Sequence, residues 1–110
     1  NTSYKKAMDQ ELYKKFYMHN TGHWLGLDVH DPSEYKEDKE LVKLKAGMIF
    51  TVEPGLYIRA HKSVSKRFHN IGIRIEDDIL VTTKGPEVLT SNVPKSVKEI
   101  ENLMSGSNSG

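Results

Sequence analysis

The sequence contains no cysteine, which excludes a disulfide framework and thiolate chemistry and suits a reducing cytoplasm. It also lacks a charge imbalance. Sixteen Lys and Arg against fifteen Asp and Glu leave a formal charge of +1, too weak a field to make nucleic acid or an anionic membrane the main partner. No apolar run approaches the roughly 18 residues of a membrane-spanning helix, and no charged-then-apolar leader pattern opens the chain. The expectation is a soluble, cytoplasmic protein. Internal repeats are absent, and low complexity is confined to residues 105–110, whose Ser, Gly and Asn have the composition of a flexible tail. At 110 residues there is room for one domain with a modest core. A first residue that is not Met, together with that tail, is read as the boundaries of a piece of a longer protein.

What the sequence does have is unevenly spread. Tyr4 to Phe16 is rich in Lys, Glu, Gln, Leu and Ala, with Ala7, Leu12 and Phe16 loosely on one face, which predicts a short helix. From Tyr17 to Pro32, glycines alternate with polar residues at no single period, the mark of a shaped loop. Ser33 to Lys45 is a charged, solvated excursion to which no chemistry is assigned. Met48 to Val52 reads as a buried strand ended by Pro54 and Gly55, placing Glu53 at its end, with Leu56-Tyr57-Ile58 continuing beyond. Ile71 to Glu76 alternates as a strand, and Asp77-Asp78 reads as a tight turn into Ile79–Thr83, giving a hairpin with Glu76 near its apex. Val97, Ile100, Leu103 and Met104 have helical spacing and predict an amphipathic helix to close the chain.

Three side chains competent to hold a metal stand in apolar or glycine-rich settings where an unpaired charge is costly: His23, Glu53 and Glu76. One imidazole with two hard carboxylates suits Mn²⁺, Co²⁺, Fe²⁺ or Zn²⁺ better than Cu⁺. A strand-end ion pair to Arg59, Arg67 or Arg74 is the alternative for each carboxylate. His19 and His30 bring the imidazoles within twelve residues to three. Trp24, Leu25 and Leu27 supply apolar walls, and Gly22 and Gly26 permit close backbone approach.

The run from His19 through His23 and Trp24 to His30-Asp31, then Thr51-Val-Glu53-Pro-Gly-Leu-Tyr-Ile58, then Gly72-Ile-Arg74-Ile-Glu76-Asp-Asp78, resembles three signatures of the Xaa-Pro aminopeptidases, in order and at fitting separations. The likeness spans residues 16 to 104. It implies an α+β fold, the C-terminal half of a pita-bread domain occupying residues 1–104, with a curved, mainly antiparallel sheet backed by helices. It further implies a metal-dependent enzyme that releases an N-terminal residue preceding proline. Two divalent ions would serve it, Mn²⁺ foremost, with Co²⁺ or Zn²⁺ as substitutes. Residue by residue, His23 and Glu53 would ligate one ion, Glu53 also relaying a proton, and Glu76 would bridge both. His30 would touch the substrate carbonyl, and His19 and Arg74 would line the pocket for proline and the residues after it. Tyr57 carries over less firmly, with packing as its other role.

Part of the family pattern is missing. The family's first two ligands are aspartates well upstream of the histidine block, whereas Asp9 alone precedes His19. Three ligands in place of five would hold at most one ion, so the isolated chain is expected to be inactive and the longer protein active. Half of a pseudo-symmetric sheet would also leave an apolar face uncovered, inviting self-association, and the intact enzyme is expected to be a homo-oligomer. Two other readings are a prolidase that cuts only dipeptides and a non-catalytic pita-bread module that binds peptides or proteins.

Overall fold

The computed structural model describes residues 2–106. The opening helix is shorter than its composition predicts. Helix α1 spans Tyr4–Asp9, capped by the Ser3 side chain, which accepts from the Lys6 N–H. Glu11 then takes a left-handed φ of 50°, and a 3₁₀ turn follows over Leu12–Lys15. No glycine or proline marks that break; the Lys14 ammonium holds Glu11 at 2.7 Å across it. The charged excursion contains a small exposed hairpin, β1 (Lys36–Glu37) and β2 (Glu40–Leu41). Asp38 and Lys39 turn it with positive φ of 51° and 72°, as a primed two-residue turn requires.

The centre of the fold is one long antiparallel hairpin, interrupted once. Strands β3 (Ile49–Val52) and β4 (Gly55–Ile58) form one arm, and β5 (Ile71–Arg74) and β6 (Asp77–Thr82) form the other. β3 pairs with β6, Ile49 opposite Leu80 and Val52 opposite Asp77. β4 pairs with β5, Gly55 opposite Arg74 and Ile58 opposite Ile71. The register is the same in both ladders, so residues 53 and 76, and 54 and 75, fall opposite one another in the gap between them. Pro54 has no N–H to give the ladder there, and only the Ile75 N–H reaches across, to the Pro54 carbonyl at 3.2 Å. The expected hairpin between residues 71–76 and 79–83 is therefore corrected. Asp77-Asp78 is no turn but the start of β6, and β5 and β6 are successive lengths of one bent arm. The reversal that does follow β6 comes at Thr83-Lys84, leading into β7 (Gly85–Val88).

Residues 21–25 flank β3 on its other side, through the Trp24–Phe50 bridge and the bonds Leu25 N–H to Ile49 O, Thr51 N–H to His23 O and Glu53 N–H to Thr21 O. Gly22 is needed here for space. A Cβ on it would collide with the Thr51 carbonyl. Helix α2 (Val97–Met104) closes the described chain as expected, with a capping box between Ser96 and Glu99. Residues 107–110 of the expected tail lie outside the described residues.

The modest hydrophobic core expected from the length is not there. Among the described residues no hydrophobic side chain is buried, and only Thr51 and Glu53 are. The radius of gyration is 18.1 Å, against about 13 Å for a compact chain of this length. Leu56, Ile71 and Ile73 on the long hairpin, and Val97, Leu103 and Met104 on α2, lie exposed.

Candidate metal centre

Strand geometry brings the candidate ligands together before any ion is considered. Residues directly opposite in an antiparallel pair share a face, as do residues two apart on one strand. Glu53 and Glu76 are opposite in the gap of the long hairpin. Thr51 precedes Glu53 by two on the same face, and His23 lies across from Thr51 on the flanking segment. The donor atoms of His23, Glu53 and Glu76 accordingly all fall within 4.8 Å of one another. The reverse face takes the apolar groups. Trp24 meets Phe50 edge-on with ring centroids 6.1 Å apart and stacks on Tyr35 at 5.8 Å.

Like charges directly opposite on a sheet repel, and Glu53 is only 7% exposed, so this pair needs positive charge and donors beside it. Two groups supply them, the Thr51 hydroxyl and the Arg74 guanidinium. The Thr51 hydroxyl donates to Glu53 Oε1 at 3.2 Å while accepting the His23 N–H at 3.0 Å. His23 Nε2 lies 3.5 Å from Glu53 Oε1. Arg74 spans the carboxylates, one guanidinium nitrogen 3.3 Å from Glu53 Oε2 and the other 3.4 Å from Glu76 Oε2. His23 is oriented through Nδ1, which donates to the Trp24 carbonyl at 2.9 Å and leaves Nε2 facing the carboxylates. One imidazole and two converging carboxylates, one of them nearly dry, are a donor set that fits a hard or borderline divalent cation.

The remaining candidates fall around this centre. The His30 ring is 4.4 Å from that of His23, centroid to centroid. His19 is not among the converging donors; its Nε2 meets the Tyr57 hydroxyl at 2.8 Å and its Nδ1 the Asn20 carbonyl at 2.7 Å. Tyr57 thus has a polar role as well as a packing one. Its ring lies over Gly55 and Gly72, where a Cβ would come within 2.7 Å and 3.1 Å of ring carbons. The ion pairs weighed for the carboxylates do form with Arg74, so Arg74 faces the two carboxylates themselves. Arg59 and Arg67 form none with either. Sequence reasoning passed over Thr51, whose hydroxyl ties the two ligand-bearing segments together. The available signal was its place two residues before Glu53, on the same face of a strand.

Comparison with known proteins bears on this arrangement. The chain is 50% identical over 97 residues to the Xaa-Pro aminopeptidase of Haemophilus influenzae, covering 88% of this chain and 22% of that protein. It is 50% identical over 95 residues to the Xaa-Pro aminopeptidase of Escherichia coli, covering 86% and 21%. The solved structure of Pseudomonas aeruginosa aminopeptidase PepP superposes with a TM-score of 0.89 at 51% identity, over 96% of this chain and 24% of that one. The chain therefore spans about a fifth of the length of these curated relatives, and its α+β fold is that of the C-terminal part of the aminopeptidase P pita-bread domain. Residues 2–83 match the profile of a metallopeptidase family whose chemistry rests on divalent metal ions, which gives the opposed Glu53 and Glu76 with His23 a reason to converge: the chain belongs to metallopeptidase family M24.

Proposed function

We propose that this chain is the ligand-bearing C-terminal part, residues 1–104, of a cytoplasmic enzyme that releases the N-terminal residue from peptides with proline in second position. The observation that carries this is the convergence of His23, Glu53 and Glu76 within 4.8 Å, in a chain half identical to two Xaa-Pro aminopeptidases. His23, Glu53 and Glu76 would hold the metal, with Mn²⁺ first in order and Co²⁺ or Zn²⁺ as substitutes. One solved relative is a zinc-substituted aminopeptidase P in complex with product. When bound, the divalent metal would lower the pKa of water to give hydroxide near neutral pH and would polarise the scissile carbonyl.

The chain's own residues do the rest. Glu53, its Oε1 fixed by the Thr51 hydroxyl, accepts a proton and passes it to the leaving nitrogen. His30, beside His23, hydrogen-bonds the substrate carbonyl oxygen as negative charge develops on it. His19, steadied by Tyr57, and Arg74 border the site on the side toward β4 and β5, where the proline ring and the residues after it lie. Proline has no N–H and a fixed φ, so a wall shaped to the ring replaces the hydrogen bond another residue would offer. Three ligands hold at most one ion, so the isolated 110-residue chain is inactive and the remaining ligands come from the rest of a homo-oligomeric enzyme.

The test is hydrolysis of Xaa-Pro-Xaa tripeptides and Xaa-Pro dipeptides by the full-length protein with Mn²⁺, beside the 110-residue chain alone. Tripeptide cleavage by the full-length protein only is expected. Cleavage of dipeptides alone would replace this reading with a prolidase, and binding of peptides without turnover would replace it with a non-catalytic module.

A further inference from the structure

The reversing loop of the long hairpin, residues 59–70, lies beyond the ends of β4 and β5 that are farther from the carboxylates. That loop has an unusual charge. Between Glu53 and Glu76 there is no acidic residue, while Arg59, Lys62, Lys66 and Arg67 are all cationic. Among the described residues none of these four forms an ion pair with a carboxylate. The loop is nonetheless held in shape. His69 Nε2 donates to the Val64 carbonyl at 3.0 Å and the His61 carbonyl at 3.1 Å. Lys15 reaches it from the 3₁₀ turn, its ammonium 3.2 Å from His61 Nδ1 and 3.4 Å from the Ser63 hydroxyl.

This basic end lies in line with the metal centre. Glu53, Gly55, Tyr57 and Arg59 alternate along one arm, opposite Glu76, Arg74 and Gly72 on the other. The Tyr57 ring lies over the two glycines and, with His19, stands midway between the carboxylates and Arg59. A cavity of about 370 Å³ bordered by Lys15, Arg59 and His61 shares Lys14 and Met18 with a second, of about 600 Å³, that reaches His19. The two cavities adjoin at Lys14 and Met18, one ending beside His19 and the other at the cationic residues. Six residues at about 3.3 Å each place Arg59 at most roughly 20 Å from Glu53, within the span of about six residues of extended peptide.

We propose that Arg59 and Lys15 form a carboxylate-recognising subsite that favours peptide substrates bearing negative charge about six residues beyond the scissile bond. The proposal rests on the peptidase reading above. Its chemistry is met by an Asp or Glu side chain or by the C-terminal carboxylate of a peptide of that length.

The experiment compares octapeptides with proline second and either Glu or Lys at positions six and seven, each read as kcat/KM relative to an Xaa-Pro-Xaa tripeptide too short to reach Arg59, in the full-length metal-loaded protein. Two exposed ion pairs set the expected preference for the acidic peptide at about fivefold, shrinking as salt shortens the screening length. In a Lys15→Glu/Arg59→Glu variant the preference should vanish or reverse. Amidating the C-terminus of both octapeptides separates the two carboxylate sources: a Glu-over-Lys preference assigns recognition to the side chain, a fall in kcat/KM on amidation that the variant abolishes assigns it to the terminus, and either supports the subsite. Equal use of both peptides by the parent protein together with no fall on amidation, or a preference or fall unchanged in the variant, would overturn it. Failure to cleave the tripeptide would instead refute the peptidase reading. In that event, fluorescence anisotropy of the labelled octapeptides on the parent and variant proteins decides the subsite without turnover.

Discussion

Replacing the Thr51 hydroxyl with a methyl group probes the link between the two ligand-bearing segments directly. Thr51 is 2% exposed, and valine matches its volume, so Thr51→Val opens no cavity. It leaves the His23 N–H without an acceptor and takes from Glu53 Oε1 a donor at 3.2 Å. An orphaned buried N–H costs about 1–3 kcal/mol and a lost bond to a carboxylate about as much. These losses are not additive, and we expect destabilisation on the order of 3 kcal/mol. The metal should feel it too, because residues that orient ligands typically govern 10- to 100-fold in affinity. Urea unfolding and calorimetric Mn²⁺ titration of the full-length protein measure the two effects. Thr51→Ser, which keeps the hydroxyl, should recover most of both. Unchanged midpoint and metal affinity in Thr51→Val would refute the role assigned to this hydroxyl.

Two further outcomes follow from the same geometry. Gly22→Ala places a methyl group against the Thr51 carbonyl; it should push residues 21–25 off β3, cost about 1–3 kcal/mol and weaken Mn²⁺ binding in the same titration. Away from the centre, the Asp77 carboxyl is held below the usual carboxylate range, first by the Thr90 hydroxyl at 2.6 Å and then by the Lys95 ammonium at 2.9 Å. A value lower in the folded than in the unfolded chain contributes stability above about pH 4 that is lost as pH falls through the folded value. Asp77→Asn should flatten stability against pH in that acid range, as read from urea midpoints, and leave its slope near neutrality alone.

The candidate ligands were legible in the sequence because their neighbours are so specific, Glu53 before Pro-Gly and Glu76 after Ile-Arg-Ile. Their opposition was not. Asp77-Asp78 has the composition of a turn, yet Asp77 lies across from Val52 in β6 and spends its carboxylate on Thr90 and Lys95, residues distant in sequence. Local composition carries no trace of those partners. The 3.6-residue spacing of Val97, Ile100 and Met104 did show α2, and Ser96 with Glu99 marks its start. The break at Glu11 had no such marker. The absent core was equally hidden, since 36% hydrophobic residues say how much apolar surface exists and nothing of what covers it.

The shared register of the long hairpin has a consequence for any change in its length. Side chains alternate faces at every step, so removing a single residue from either arm would turn one carboxylate to the reverse face, toward Trp24 and Phe50, while its opposite number stayed behind. Removing a residue from the loop at 59–70 would leave both where they are. The carboxylate pair thus acts as a vernier on the sheet, and an ion bound between Glu53 and Glu76 would be bound only by chains whose two arms had zipped in step.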